Sequence, residues 1–281
     1  MPLPPPGPDA HVLVTGASSG IGAAIARTLA ARGYPTVLVA RREEALVELA
    51  RELRAVSGLT AEVRVADLGA DAGRDTVREV VLTDERVVGV VNAAGYGITG
   101  RVLDLADDDG RAALDGLVRL NVQALHDLTV AAVGALVRRA RTTARTGAIL
   151  NVSSITAFQP LPGVASYAAS KAFVQSFSEA VHAELAGSGV SLTTLSPGLT
   201  RTGFADAADT DAFDRAPDLV VGDAADVAEA GVAAMAAGHR SVVPGLVNQL
   251  SAAGGRLAPR TLLLPAVNAA MDWFGGAGRL E

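Results

Sequence analysis

The sequence predicts an α/β fold, a doubly wound and mostly parallel sheet of about seven strands with helices on both faces. Three observations predict it. Short β-branched apolar runs recur seven times along the chain, the intervals between them are long enough for crossover helices, and the first run opens directly into a glycine-rich turn. Runs that are apolar on both sides suit strands covered above and below, as parallel sheets are, because their crossovers lay helices over each face. At 281 residues the chain fits one domain better than two.

In chain order, residues 1–8 are proline-rich, with no basic start and no apolar stretch, so they read as a loose or extended tail and not as a signal peptide. Strands follow at His11 to Thr15, Thr36 to Ala40, Ala61 to Ala66, Val87 to Asn92, Ala148 to Ser153, Val190 to Ser196 and Ser241 to Pro244. A helix from Gly20 to Arg32 keeps Ile21, Ala24, Ile25 and Leu29 on one side, and Gly33 stands where a helix C-terminus favours glycine. Helical spacing also runs from Asp109 to Ala140, the longest such pattern, and from Ser166 to Gly187. Between Arg138 and Gly147 the arginine-rich segment reads as a solvated surface loop. The core domain is therefore assigned to residues 9–245. Glycines and prolines break residues 246–281 into short apolar pieces, read as a C-terminal extension packed on the same domain or on a partner subunit.

Charge and composition exclude several classes. Acidic residues outnumber basic ones by 30 to 24, a balance that repels a polyphosphate backbone, so no nucleic acid partner is expected. Without cysteine there is no disulfide, thiolate metal site or redox thiol, which suits a cytoplasmic location. The histidines, His11, His126, His182 and His239, are scattered with no ligand spacing, so no metal site is expected. No run approaches the roughly 18 uninterrupted apolar residues that span a bilayer, so no transmembrane segment is expected.

The first strand leads into Thr15-Gly16-Ala17-Ser18-Ser19-Gly20-Ile21-Gly22. Glycines there permit positive φ and close approach of a pyrophosphate, and the helix that starts inside the motif offers unpaired N–H groups and a positive dipole end. Gly16 to Gly20 also satisfies the G-x-S-x-G pattern of a hydrolase nucleophile elbow centred on Ser18. That serine stands after the first strand of the chain, where an elbow has no sheet beneath it, so the hydrolase is a distant alternative. After the second strand come Arg41 and Arg42, with Ala40 where an acidic residue would receive a ribose 2′-hydroxyl. Guanidinium groups there can pair with a 2′-phosphate, which favours NADP over NAD.

Tyr167 and Lys171 are four residues apart in a helical pattern, so phenol and ammonium share a face. A free phenol holds its proton too tightly for exchange at neutral pH, and a nearby cation favours the phenolate. Lys171 is the only lysine in the chain; every other basic residue is arginine. A sequence that otherwise uses arginine keeps lysine where a compact ammonium serves a purpose that a planar guanidinium cannot.

These motifs together resemble the short-chain dehydrogenase/reductase family, in its common single-domain branch. Thr15 to Gly22 resembles the family's cofactor turn, Asn92-Ala93-Ala94-Gly95 its fourth-strand motif, Tyr167 to Lys171 its active-site helix, and Pro197-Gly198 with Thr202 its nicotinamide-side turn. The resemblance spans about Asp9 to Gly245. It implies an NADP-dependent enzyme acting on CH–OH groups, with Tyr167 as acid/base, Lys171 on the nicotinamide ribose, and Ser154, thirteen residues before the tyrosine, orienting the substrate carbonyl. By the same resemblance Asn121 positions a relay water and Asp67, followed by Leu68, meets the adenine; a local backbone cap is the competing role for Asn121, and a helix cap for Asp67. Asn92 stands in the cofactor motif, although support of the sheet suits its amide better. The cofactor set is thus Gly16, Ser18, Ser19, Gly20, Ile21, Gly22, Arg41, Arg42, Asp67, Leu68, Asn92, Ala93, Gly95, Tyr167, Lys171, Pro197, Gly198 and Thr202. Leu199 to Val221, around Phe204 and Phe213, resembles the family's substrate lid, with Phe158 and the Gly95 to Thr99 loop as further walls. The helical stretches Asp109 to Ala140 and Ser166 to Gly187 resemble the pair that the family commonly uses for subunit contacts, and this resemblance implies a homodimer or homotetramer. A catalytically silent dinucleotide sensor or scaffold is the alternative reading.

Overall fold

The computed structural model describes residues 3–201 and 221–274. One sheet has seven strands, β1 (His11–Thr15), β2 (Thr36–Ala40), β3 (Ala61–Val65), β4 (Val87–Asn92), β5 (Gly147–Val152), β6 (Val190–Leu195) and β9 (Ser241–Val242). Their order is β3-β2-β1-β4-β5-β6-β9 and every pairing is parallel. The chain winds outward from β1 to β3, then crosses back to place β4 on the other side of β1. That reversal leaves a crevice beyond the carboxyl ends of β1 and β4, where α/β sheets bind ligands. A separate parallel pair, β7 (Thr200–Arg201) and β8 (Gly222–Asp223), lies beyond the end of β6.

Helices cover both faces, as alternation of strand and crossover requires. On one side α1 (Gly20–Ala31), α2 (Glu43–Ser57) and α7 (Ala224–Ala237) pack Ile25, Leu29, Leu46, Leu49 and Met235 against Val12, Val14, Leu38 and Leu150. On the other, α3 (Asp71–Thr83), α5 (Leu125–Thr143) and α6 (Ala165–Glu184) lie over Leu13, Val37, Val90, Ile149 and Leu192. The long helical pattern of the sequence divides into α4 (Asp108–Val118), a π-helical turn at Arg119–Ala124, and α5. By length and composition alone this 36-residue stretch could cross a membrane; half of its most apolar window is buried inside the protein, which accounts for its hydropathy.

Three expectations need correction. The arginine-rich segment is largely helical, since α5 continues to Thr143; Arg138 and Arg141 are exposed as expected, but Arg139 is 4% exposed. Its guanidinium donates to the carbonyls of Val81, Leu82 and Val87 and pairs with Glu85, closing the C-terminal end of α3, where unpaired carbonyls and the dipole favour a cation. The proline-rich tail is extended but docked, with Leu3 buried at 2% exposure against the Gly89 position of β4 and Met235, and with Tyr34 donating to the Pro4 carbonyl at 2.8 Å. The C-terminal extension is helical and not a set of broken pieces. It forms α8 (Leu246–Leu257) and α9 (Arg260–Phe274), with Gly254 and Gly255 inside the first. Gly255 is small because a Cβ there would stand 2.9 Å from the Phe158 carbonyl, so α8 lies directly on the 3₁₀ turn Ile155–Phe158 of the same domain. Arg256 secures it, 3.1 Å from Glu179 and stacked 4.5 Å from the Phe158 ring centre.

Leu3 is buried in the core beside Met235 and Val12, so Leu3→Ala is expected to cost about 2 kcal/mol. Urea denaturation measures it; a loss within experimental error would show that the tail adds nothing to the core.

Candidate active site

The glycine-rich turn is shaped by close backbone approach. Gly16 has φ +67°, and a Cβ there would meet the Ala93–Ala94 backbone at 2.8–2.9 Å; Gly20 has φ +56°. A Cβ on Gly22 would collide with the Gly16 carbonyl, so glycine lets α1 start tight against β1. Thr15, unassigned in the sequence reading, ties the two halves of the crevice: its hydroxyl donates to the Val91 carbonyl and accepts from the N–H groups of Ala93 and Ala94 at 3.1 Å. Ser19 is the extended N-cap of α1 with no side-chain cap, and the first turn of the helix has no acidic residue. Open N–H groups, a positive dipole end and missing Cβ atoms together fit the pyrophosphate of a dinucleotide.

Arg42, at the N-cap of α2, reaches back over this turn and donates to the Ser18 carbonyl and hydroxyl, each at 3.2 Å. Ser18 is therefore held by a cation and is not engaged as a nucleophile with a histidine. Burial pushes the Tyr96 phenol above its ordinary value; the charge of Arg41 opposes that rise and the charge of Asp67 adds to it. Asp67 accepts from the N–H of Gly69 at 3.0 Å, while the N-cap of α3 is Ala70, so the aspartate shapes the turn before the helix. The Leu68 side chain is buried in the core and Arg74 holds its carbonyl at 3.1 Å, so a ligand contact there falls to the backbone N–H.

Tyr167 stands in the first turn of α6 and Lys171 one turn later. The Lys171 ammonium is buried, donates to the Val152 carbonyl at 3.0 Å and lies 5.7 Å from the centre of the Tyr167 ring. The adjacent serines take different partners. Ser153 donates its hydroxyl to the Lys171 carbonyl at 2.8 Å, whereas Ser154 hydrogen-bonds the Tyr167 hydroxyl and accepts from the N–H of Thr156. Part of Tyr167 reaches the cleft surface, yet burial of its hydroxyl raises the phenol to about 12, opposed by the Ser154 hydrogen bond. Burial also lowers Lys171 to about 8. The expected lowering of the phenol by the lysine is not seen: Ser154 alone opposes the rise, and desolvation disfavours both charged forms.

Asn121, 1% exposed, sits in the π-helical turn, a distortion that opens a helix where function needs it. Its oxygen accepts from the N–H of Tyr96, and its amide donates to the Tyr96 carbonyl and the Ser170 hydroxyl, at 2.9–3.2 Å. The side chain thus locks the loop after β4 to α6 through partners distant in sequence, and not through a local backbone cap. Gly95 makes this possible, since a Cβ there would be 2.9 Å from the Asn121 oxygen and 3.4 Å from the Lys171 nitrogen. Asn92 is likewise structural: its amide donates to Thr129 and Asn151, and Asn151 in turn donates to Ser178, in a network buried beneath the sheet. Both amide nitrogens are bonded within the protein around the cleft.

Beyond β6 the Pro197 carbonyl accepts from the N–H of Ile155 at 2.9 Å, which seats the Pro197–Gly198 turn beside Ser154. Asn248 of α8 presses its amide directly against Gly198, a contact that only a residue without Cβ permits and that no local pattern signals. Phe158 is buried beneath Arg256 and offers no wall to a substrate. Thr202, Phe204 and Phe213 lie outside the described residues.

The sequence profile of the short chain dehydrogenase family matches residues 10–212. The chain is 36% identical over 194 residues to sulfoacetaldehyde reductase 2 of Chromohalobacter salexigens, covering 69% of this chain and 73% of that protein. It is 32% identical over 197 residues to the very-long-chain 3-oxoacyl-CoA reductase of Anas platyrhynchos, covering 68% of this chain and 60% of that one. Among solved structures, a short-chain dehydrogenase from Sphingobium yanoikuyae in complex with NADPH superimposes with a TM-score of 0.75 at 30% identity, covering 96% of each chain. A 3-ketoacyl-(acyl-carrier-protein) reductase from Brucella melitensis complexed with NADH superimposes at 0.73 and 25% identity, covering 88% of this chain and 98% of that one.

A buried ammonium destabilises the fold while it keeps its proton. With Lys171 near 8 when folded and 10.5 when unfolded, that cost is full below pH 8 and vanishes as pH rises through the unfolded value. Lys171→Met is expected to raise stability at pH 6.5 by on the order of 2 kcal/mol and by much less at pH 10. Denaturant melts at the two pH values check it; equal gains would remove charge burial as the cause.

Proposed function

The chain belongs to the short-chain dehydrogenase family, and from that premise we propose that it is an NADP(H)-dependent oxidoreductase that interconverts a carbonyl and a secondary alcohol. The observation that carries this reading is the convergence of Ser154, Tyr167 and Lys171 at the carboxyl end of the sheet, with the Tyr167 hydroxyl bonded to Ser154 and the lysine beside its ring. A bound nicotinamide supplies the hydride, or accepts it in the reverse direction. Tyr167 gives the proton to the carbonyl oxygen in reduction and takes it from the alcohol in oxidation. Raised to about 12, the phenol is protonated at neutral pH and stands as the donor that reduction needs. Ser154 polarises and orients the carbonyl, and Lys171 holds the nicotinamide ribose with its charge facing the phenol.

Arg42 over Ser18, with Arg41 before it in the chain, supports preference for NADP over NAD, because a guanidinium beside the glycine-rich turn can pair with a ribose 2′-phosphate. Intact Ser154, Tyr167 and Lys171 favour an active enzyme over a silent sensor. The Arg42 bonds to Ser18 speak against the hydrolase alternative. We also propose self-association through the outer face of α5 and α6, where Val130 and Phe173 are exposed and Phe173 stacks on Phe177 at 5.5 Å.

Tyr167→Phe is expected to lower reduction of a carbonyl panel by roughly 1,000-fold or more while NADPH still binds. Full activity in that variant would take the phenol out of the mechanism. Arg42→Ala is expected to weaken NADPH binding by about 10-fold and leave NADH binding nearly unchanged. Fluorescence titration reads both, and equal losses for the two cofactors would contradict the assignment.

A further inference from the structure

We propose that Gln175 is a positioning residue that sets the nicotinamide-side turn, Pro197–Gly198, against the helix carrying Tyr167 and Lys171. The inference rests on the oxidoreductase reading above. Tyr167, Lys171 and Gln175 stand at successive intervals of four on α6 and so form one row along a single face. The first two are assigned to substrate and cofactor; the third is 5% exposed and bonded to protein alone. Its oxygen accepts from the Ser196 hydroxyl at 2.7 Å, and its amide nitrogen lies 3.5 Å from the Ser241 hydroxyl.

Ser196 is the last residue tied to the sheet ladder at this edge. Its N–H donates to the Val242 carbonyl at 2.9 Å, and the next residue is a proline with no N–H to give. The turn that follows is held towards Ser154 by the N–H of Ile155 on the Pro197 carbonyl. Towards α6 it is held through Ser196 and Gln175. The two bonds fix the turn in two directions, one to the serine and one to the tyrosine helix. A buried amide costs stability unless it is paired, and an apolar side chain of equal volume would fill this space without that cost. What the amide adds is a defined separation between the proton-donating helix and the turn beside the nicotinamide. Hydride transfer is sensitive to displacements of about 1 Å, so slackening that separation reduces rate more than binding.

Gln175→Met keeps the volume and removes the bond; Ser196→Ala removes it from the other side. Both are expected to lower kcat roughly 10- to 50-fold with the carbonyl KM changed less than about 3-fold. The primary isotope effect with NADPH deuterated at the transferred position should rise, and the pH profile should stay in place because Tyr167 and Lys171 are untouched. A purely structural role would lower the active fraction and leave the isotope effect where it was. The double variant should be no worse than the poorer single one.

Emission of NADPH at saturation gives a readout that needs no turnover: loosening of the turn should move bound emission in Gln175→Met towards that of free NADPH. Unchanged isotope effect and emission in both variants, or additive losses in the double variant, would overturn the positioning role. Should Gln175→Met fail to fold, Ser196→Ala alone carries the test. A wild-type protein that binds NADPH but reduces no carbonyl would sink the oxidoreductase reading, while the emission measurement would still decide the role of Gln175.

Discussion

One buried ammonium organises the site. Lys171 donates to the Val152 carbonyl, and its own carbonyl accepts from Ser153, so α6 is fastened to the end of β5 from both sides of a single residue. The N–H of Ser153 then reaches Leu195 at the end of β6. Position of the tyrosine, the serine and the β6 turn all follow from this stitching. Burying the charge lowers the affinity of Lys171 for its proton, and the fold accepts that cost at the place where a compact cation is needed.

The same principle of commitment runs through the polar interior. Asn121, Asn92, Asn151, Thr15 and Gln175 are each bonded to neighbours and together connect β1, β4, β5, β6 and α6 around the crevice. In a low-dielectric interior such bonds are strong when complete and costly when broken, so they specify geometry. Among the described residues, the groups proposed to meet a ligand are the N–H groups at the start of α1, two arginines, Lys171 and the Ser154–Tyr167 pair.

Distance along the chain decided what could be read in advance. The glycine turn, the seven strands and the Tyr167–Lys171 spacing are local patterns, set by backbone sterics and by periodicity, and they stand where those rules place them. Arg139 was misread because an arginine-rich stretch looks solvated; the carbonyls that receive it belong to residues more than fifty positions away. Leu3 carries no sign of burial, since its partners on β4 and α7 come together only when the sheet closes. Glycines at 254 and 255 read as helix breakers, yet Gly255 is where α8 lies against the Phe158 carbonyl.

By itself the sequence determined the parallel α/β architecture, the dinucleotide turn and the phenol–ammonium pair, because each depends on residues adjacent on one strand, turn or helix. Only the tertiary structure decided which neighbour each polar group would take. It turned Asn121 and Asn92 to the scaffold, gave Ser153 to the lysine carbonyl and Ser154 to the tyrosine, and joined Gln175 to Ser196. Those choices depend on the separation of strands and helices after packing, and local periodicity carries no record of it.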